Sequence, residues 1–225
     1  MQKYLYKRFQ PTEEYRQKVI EMLRHNTNVE IGGYKIYDGT GTHYMQNPVE
    51  ITDFVFAAKK QEKKAGRKFE SFLEIGFSAG INNTFLNKMF GFSHIVTVDI
   101  VTPAGINPAA MMANMRFKNL TFLCGSSQDH GVIERARKLG DYDVIFIDAD
   151  HSFEAVKKDF NNYHGMLNPG GVLALHDIHA SDHPGPGRFW KELRASAAAK
   201  HWTFTEFHDK GQYTEYGIGM MLRKS

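Results

Sequence analysis

Residues 72–80 read Phe72-Leu73-Glu74-Ile75-Gly76-Phe77-Ser78-Ala79-Gly80, a short apolar run, a glycine, and a second glycine four positions later at the mouth of a helical segment. Gly76 permits a tight turn with close backbone approach, Gly80 lets the helix pack near the strand, and the helix start offers unpaired N–H groups to an anion. The pattern is Glu-x-Gly-x-x-x-Gly, not the Gly-x-Gly-x-x-Gly of a dinucleotide site, and it sets a carboxylate two residues before the first glycine. An acid there opposes a pyrophosphate and suits a ligand with a positive end. The next apolar run closes at Val98-Asp99, 23 residues after Gly76, where an acid can accept both hydroxyls of a ribose.

Outward from this stretch the chain alternates apolar runs with helical segments. The spacing predicts strands at 69–75, 94–100, 120–124, 143–148 and 171–176, with helices near 81–90, 108–117, 132–139, 152–167 and 187–198. Val144-Ile145-Phe146-Ile147 and Val172-Leu173-Ala174-Leu175 are apolar on consecutive residues, as strands covered on both faces must be. Residues 202–207 and 216–222 are strand-like and separated by turn-rich residues, so they predict a hairpin at the sheet edge. The expected architecture is α/β: a doubly wound, mostly parallel, seven-stranded sheet with an antiparallel C-terminal hairpin. Ahead of it, residues 12–25 read as an amphipathic helix with Thr12 as N-cap, and Asn47-Pro48-Val49-Glu50 as N-cap, N1 proline and capping glutamate of a helix to Lys64, with Gly66 as its stop. Residues 1–66 are therefore read as a small helical cap and residues 67–225 as the core, one compact domain overall.

Composition narrows the function. Among 225 residues a single cysteine, Cys124, excludes a disulfide scaffold and a thiolate zinc site. The formal charge of +3, from 28 Lys and Arg against 25 Asp and Glu, with no basic run longer than two, argues against nucleic acid. No run approaches the roughly 20 apolar residues of a membrane span, and the opening eight residues lack a signal core. The expectation is a cytoplasmic protein acting on a small molecule, with a homo-oligomer left open. Five of the 11 histidines fall between His151 and His183, dense enough to ask whether some do chemistry.

Three further segments make the pattern denser: Gly125-Ser126-Ser127-Gln128-Asp129, then Asp148-Ala149-Asp150-His151 after the fourth strand, then Asn168-Pro169-Gly170-Gly171 leading to His176-Asp177. Over roughly residues 45–225 the chain resembles the class I S-adenosylmethionine-dependent methyltransferases, with a Rossmann-like fold, and within them the catechol and caffeoyl-CoA O-methyltransferase-like and cephalosporin-hydroxylase-like groups. The resemblance implies S-adenosylmethionine as cofactor, held by Glu74, Gly76, Ser78, Gly80, Asn82, Asp99, Ile100, Ser126, Ser127, Gln128 and Asp148. In that assignment Glu74 and Gly76 lie beside the methionine amino group and Asn82 holds its carboxylate. Asp99 takes the ribose, Ile100 packs on the adenine, and Ser127 with Gln128 bonds its edge.

Transfer to a hydroxyl needs either a divalent cation to lower its pKa or a base to take its proton. In the resembling enzymes the positions of Asp148, His176 and Asp177 bind magnesium, but here the middle ligand is a histidine and the last an aspartate where asparagine is common. An imidazole among carboxylates moves the preference from magnesium towards manganese, iron or zinc, or leaves no metal. His151 and His176 are the catalytic candidates, His151 as a base of ordinary pKa about 6.5. His179 and His183 are expected to border an acceptor pocket, beside a mobile-looking loop 181–187. Phe189 and Trp190 read as core, and His43, Tyr44 and Gln46 as part of a cap closing over the cofactor. The leading expectation is an O-methyltransferase for a small-molecule hydroxyl. The alternatives are a nicotinamide-dependent oxidoreductase, a metal-dependent hydrolase-like protein built on the Asp/His cluster, and a non-catalytic cofactor-binding module.

Overall fold

Alternation along the strands decides both the core and the site. The computed structural model describes residues 9–25, 46–78, 80–100, 119–211 and 216–224; the expected helix 108–117 with Met111, Met112, Met115 and Phe117, together with His43 and Tyr44, lies outside the described residues. Seven strands form one sheet in the order β3-β2-β1-β4-β5-β7-β6. They are β1 Ser71–Ile75, β2 His94–Asp99, β3 Leu120–Cys124, β4 Tyr142–Ile147, β5 Leu167–Leu175, β6 Trp202–Phe207 and β7 Ile218–Arg223. The first five pair in parallel and β7 runs antiparallel to both β5 and β6, as the sequence predicts.

The helices are α1 Glu13–His25, α2 Pro48–Lys64, α3 Ile81–Phe90, α4 His130–Lys138, α5 Phe153–Tyr163 and α6 Gly185–Ala195. One face of the sheet, with Phe72, Val144, Phe146, Val172 and Ala174, packs against apolar residues of α1, α2 and α3. The other, with Leu73, Ile75, Ile145, Ile147, Leu173 and Leu175, packs against α4, α5 and α6. This period of two carries forward to the strand ends: Glu74 follows Phe72, Asp148 follows Phe146 and His176 follows Ala174, all on the α1–α3 side. Phe189 and Trp190 are buried in the second core, as expected.

Several boundaries differ from expectation for identifiable reasons. Asn47 caps α2 as predicted, accepting from the Val49 and Glu50 N–H groups. Glu50 does not complete a capping box; it is fully buried, and its carboxylate accepts from the Asp209 N–H at 2.8 Å and the Gly217 N–H at 2.7 Å. The helix expected over 152–167 ends at Tyr163 and passes into a short 3₁₀ turn, while β5 begins four residues early, at Leu167. There the Gly170 turn (φ +76°) is accommodated by a register shift between Tyr142 and Val144. Helix α6 starts at Gly185, inside the stretch that looked mobile, because its two glycines sit against backbone. A Cβ on Gly185 would lie 2.1 Å from the His151 carbonyl oxygen, and one on Gly187 2.5 Å from that of Ile178. Among the described residues no helix is long and apolar enough to cross a membrane.

At the amino-terminal end of the sheet Asp143 ties three strands together. Buried at the start of β4, it accepts from the Glu70 N–H (2.7 Å), the Ser71 N–H (3.1 Å), the Ser71 hydroxyl, Arg67 and Asn168. Burial pushes its pKa up, but those donors outweigh burial and hold it below the ordinary carboxylate value. A depressed acid contributes stability that is complete above the unfolded pKa of about 3.9 and is lost as pH falls through the folded value. Asp143→Ala is expected to lower the unfolding free energy by about 3 kcal/mol at pH 7, measured in urea. Asp143→Asn is expected to flatten the acid limb of the stability profile below pH 4.

Candidate functional site

The turn after β1 is built to lie against the end of β4. Gly76 adopts φ +91°, and a Cβ there would fall 1.8 Å from the Asp148 carbonyl oxygen. The Gly76 N–H donates to the Val98 carbonyl and the Asp148 N–H to the Ile75 carbonyl, so β1, β2 and β4 end at one level. Asp99 closes the turn from the β2 side: one carboxylate oxygen accepts from the Phe77 N–H at 2.7 Å and the Ser78 N–H at 2.9 Å. Ser78 holds φ +48°, a cost for a non-glycine residue that the Asp99 bond helps to offset. Ile100, just beyond, is 58% exposed and presents an apolar surface at the rim.

Glu74 lies under the first turn of α3. It is 1% exposed, and its two oxygens accept from the Asn82 amide at 2.9 Å and the Asn83 amide at 3.0 Å. Burial pushes its pKa up to about 8, more than the two amides lower it, and the charges of Asp148 and Asp99 add to the rise. Asn82 is thus beside Glu74, where the sequence set it near the methionine carboxylate. Gly80 turns into α3 in the left-handed region at φ +73°.

After β3, Ser126 accepts from the Gln128 N–H at 3.2 Å, and Gln128 is exposed. The Ser127 hydroxyl donates to Asp159 at 2.7 Å, and Asp129 caps α4. Asp159 is 1% exposed, and burial pushes its pKa up to about 6, outweighing the Ser127 bond. No motif marks Asp159, although an acid on the apolar face of α5 between Val156 and Phe160 is itself a signal, and Asn83 is marked only by lying next to Asn82.

The third cluster joins the ends of β4 and β5. His151 Nε2 lies 2.7 Å from Asp177 and 3.7 Å from Asp148; His176 Nδ1 lies 3.0 Å from Asp177 and 3.3 Å from Asp148. His176 is 4% exposed and stacks on Tyr216, with ring centroids 5.8 Å apart. Its Nε2 is buried without a hydrogen-bond partner, and the close approach of Nδ1 to Asp177 Oδ1 is an ion contact outside hydrogen-bond geometry. Asp177 stands at φ +58°, a strained position for a non-glycine residue at a site that over-determines it. The two carboxylates, Asp148 first, raise His151 to about 10 against the effect of burial; burial also lowers His176, yet the charges of Asp148 and Asp177 carry it to about 10. Burial would raise Asp148, but the two imidazoles hold it well below the usual carboxylate range.

Gln46, 3% exposed, donates to Asp148 at 2.8 Å, and Tyr216 neighbours the Gly217 N–H that Glu50 holds. Among the described residues, Asp148, His151 and Asp177 are the group whose ligand atoms all lie within 4.8 Å of one another. His183 stacks on His151 at 5.0 Å, whereas His179 stacks on His208 at 4.1 Å and faces Glu206. The two loop histidines therefore divide between two neighbourhoods.

Residues 73–178 match a family model described as a methyltransferase domain. Among solved structures, the chain is similar to a Staphylococcus aureus protein assigned as a caffeoyl-CoA O-methyltransferase, at 14% identity and TM-score 0.65, over 94% of this chain and 100% of that one. An O-methyltransferase from Bacillus cereus in complex with S-adenosylhomocysteine (SAH) is similar at 17% identity and TM-score 0.57, over 99% and 96%. MycE of the mycinamycin pathway, solved with Mg, SAH and mycinamycin VI, gives 14% and 0.52, over 78% and 53%. Two curated relatives match in part: protein y4gI of Sinorhizobium fredii, 27% identical over 36% of this chain, and protein R132 of Acanthamoeba polyphaga mimivirus, 24% identical over 48%. The matches span 8% and 51% of those relatives' own lengths.

The contact at Gly76 makes a direct test of the site's construction. Gly76→Ala is expected to lower stability by more than about 2 kcal/mol, since the new methyl meets backbone. Gly165→Ala, at a position with nothing within 4 Å, is expected to shift it by less than about 1 kcal/mol; chemical denaturation of both variants measures the contrast.

Proposed function

From a chain that carries a class I S-adenosylmethionine-dependent methyltransferase domain and fold, we propose an O-methyltransferase for a small-molecule hydroxyl, assisted by a divalent cation. The observation that carries this reading is the cluster of Asp148, His151 and Asp177, three ligand groups within 4.8 Å at the carboxyl ends of β4 and β5. Such ends face the ligand crevice of an open α/β sheet. His176 Nδ1 and Asp177 Oδ1, buried, 3.0 Å apart and outside hydrogen-bond geometry, fit the same assignment.

The residues would divide the work as follows. Glu74, Gly76, Ser78, Gly80, Asn82 and Asp99 would take the methionine and ribose, with Asp148 beside them; Ile100, Ser126, Ser127 and Gln128 would take the adenine. Asp148, His151 and Asp177 would hold the cation, with His176 against both carboxylates as a fourth donor. The mixed oxygen and nitrogen set suits manganese at least as well as magnesium. The cation would lower the pKa of a hydroxyl bound to it, so that the oxygen reaches the methyl carbon as a better nucleophile. The chain's own share is to hold that oxygen in line with the methyl group and to keep bulk water away. Gln46 fixes Asp148 through its amide, which gives the N-terminal segment of residues 1–66 a share in shaping the acceptor side.

Calorimetry with SAH is expected to give stoichiometric binding. With a panel of phenols and hydroxylated sugars as acceptors, turnover is expected to fall in chelator and to return with manganese or magnesium. Asp148→Asn and Asp177→Asn are each expected to lower turnover by at least ~100-fold, beyond the range of an outer-shell partner. Unchanged turnover in chelator would remove the cation from this reading.

A further inference from the structure

Glu74 differs from the other acids at this end of the sheet. Asp99 accepts two backbone N–H groups, and Asp148 and Asp177 lie against imidazoles. Glu74 is buried, its partners are the neutral amides of Asn82 and Asn83, and among the described residues no cation pairs with it. The charged groups facing it from the neighbouring strands are Asp99 from β2 and Asp148 from β4, both of its own sign. The first turn of α3 supplies amides and a helix N-terminus, without an acid. A carboxyl removed from water beside like charges favours its neutral form.

The two asparagines can serve that form as well as the charged one. Asn82 Oδ1 and Asn83 Oδ1 are both buried without partners. An amide turned end for end presents its oxygen where its nitrogen was. A carboxylate then receives an N–H from each amide; a carboxylic acid receives one N–H and donates its O–H to the oxygen of the other. The same two amides can therefore serve the Glu74 carboxyl in either state without moving the backbone.

We infer that Glu74 is an uncharged acid in the ligand-free protein, and that seating the positively charged end of the cofactor releases its proton to solvent, with Asn82 and Asn83 as positioning residues for both states. The inference rests on the cofactor reading above. No covalent bond other than Glu74 O–H breaks; the carboxylate left behind pairs with the incoming ammonium, and the proton passes to buffer. A raised carboxyl pKa, to about 8, agrees with this assignment. Cofactor affinity is thereby linked to pH, weaker where Glu74 must first lose its proton.

The test is calorimetric titration of the full chain with SAH in chelator, at pH 6 to 7.5, in buffers of differing ionisation enthalpy. The dependence of the observed heat on that enthalpy counts the protons exchanged. Release of close to one proton per SAH at pH 6.5 is expected, with affinity rising up to tenfold per pH unit. Glu74→Gln is expected to bind SAH with no buffer-dependent heat, and Asn83→Ala to shift the pH at which half a proton is released. Binding by the unaltered protein with no proton released would overturn the inference and leave the cofactor reading standing. An undiminished release from Glu74→Gln would overturn it equally, by placing the proton elsewhere. Absence of SAH binding by the folded, unaltered protein would overturn the cofactor reading itself. The pH series on the unaltered protein stands whether or not the variants fold.

Discussion

Negative charge gathered at the carboxyl ends of adjacent parallel strands is the constraint around which this site is arranged. Glu74, Asp99, Asp148 and Asp177 stand at the ends of β1, β2, β4 and β5, and two of the four, Glu74 and Asp177, are nearly withdrawn from water. Each like charge raises the cost of the next, so each must be compensated where it stands. Asp99 is compensated by the N–H groups of the very turn it shapes. Asp148 and Asp177 are compensated by His151 and His176. Glu74 has two amides and its own proton. A ligand carrying positive charge, as the proposed cofactor does, would suit such a crevice.

The same constraint weighs against the other activities that the sequence left open. A nicotinamide dinucleotide brings a pyrophosphate to the glycine turn, where the Glu74 carboxyl offers it no positive partner. The Gly76 backbone, moreover, is pressed onto the Asp148 carbonyl, which is a protein contact in place of a phosphate cradle. S-Adenosylmethionine brings an ammonium and a sulfonium, and the methyltransferase domain match over residues 73–178 agrees with that polarity.

Much of this arrangement was legible because it follows from a period of two. Once Phe72, Phe146 and Ala174 are assigned to one face, Glu74, Asp148 and His176 must point the same way, and the parallel pairing of β1, β4 and β5 brings them together. What could not be read depends on contacts distant in sequence. Glu50 sits at a perfect capping position, yet the backbone it serves lies 159 and 167 residues away. Gln46 reaches Asp148 across 102 residues. The start of α6 was displaced by a packing requirement, the close approach of Gly185 to the His151 carbonyl, that no local pattern encodes. Ser127 looked free to meet a ligand, but its proton is given to Asp159, so towards a ligand its oxygen can only accept.

The histidines show why position alone does not assign a role. An imidazole of ordinary pKa about 6.5 is a natural base near neutrality, and His151 stands where one is wanted. Beside Asp148 and Asp177, however, both imidazoles are held towards their protonated form, raised to about 10 by the two carboxylates. A protonated imidazole cannot take a proton from an acceptor hydroxyl. For either histidine to act as a base or as a ligand, the charge on the two carboxylates must first be neutralised by something other than the imidazolium. A divalent cation of the kind proposed would do so where Asp148, His151 and Asp177 meet, and the cation and the histidines would then act as one device rather than as rival explanations.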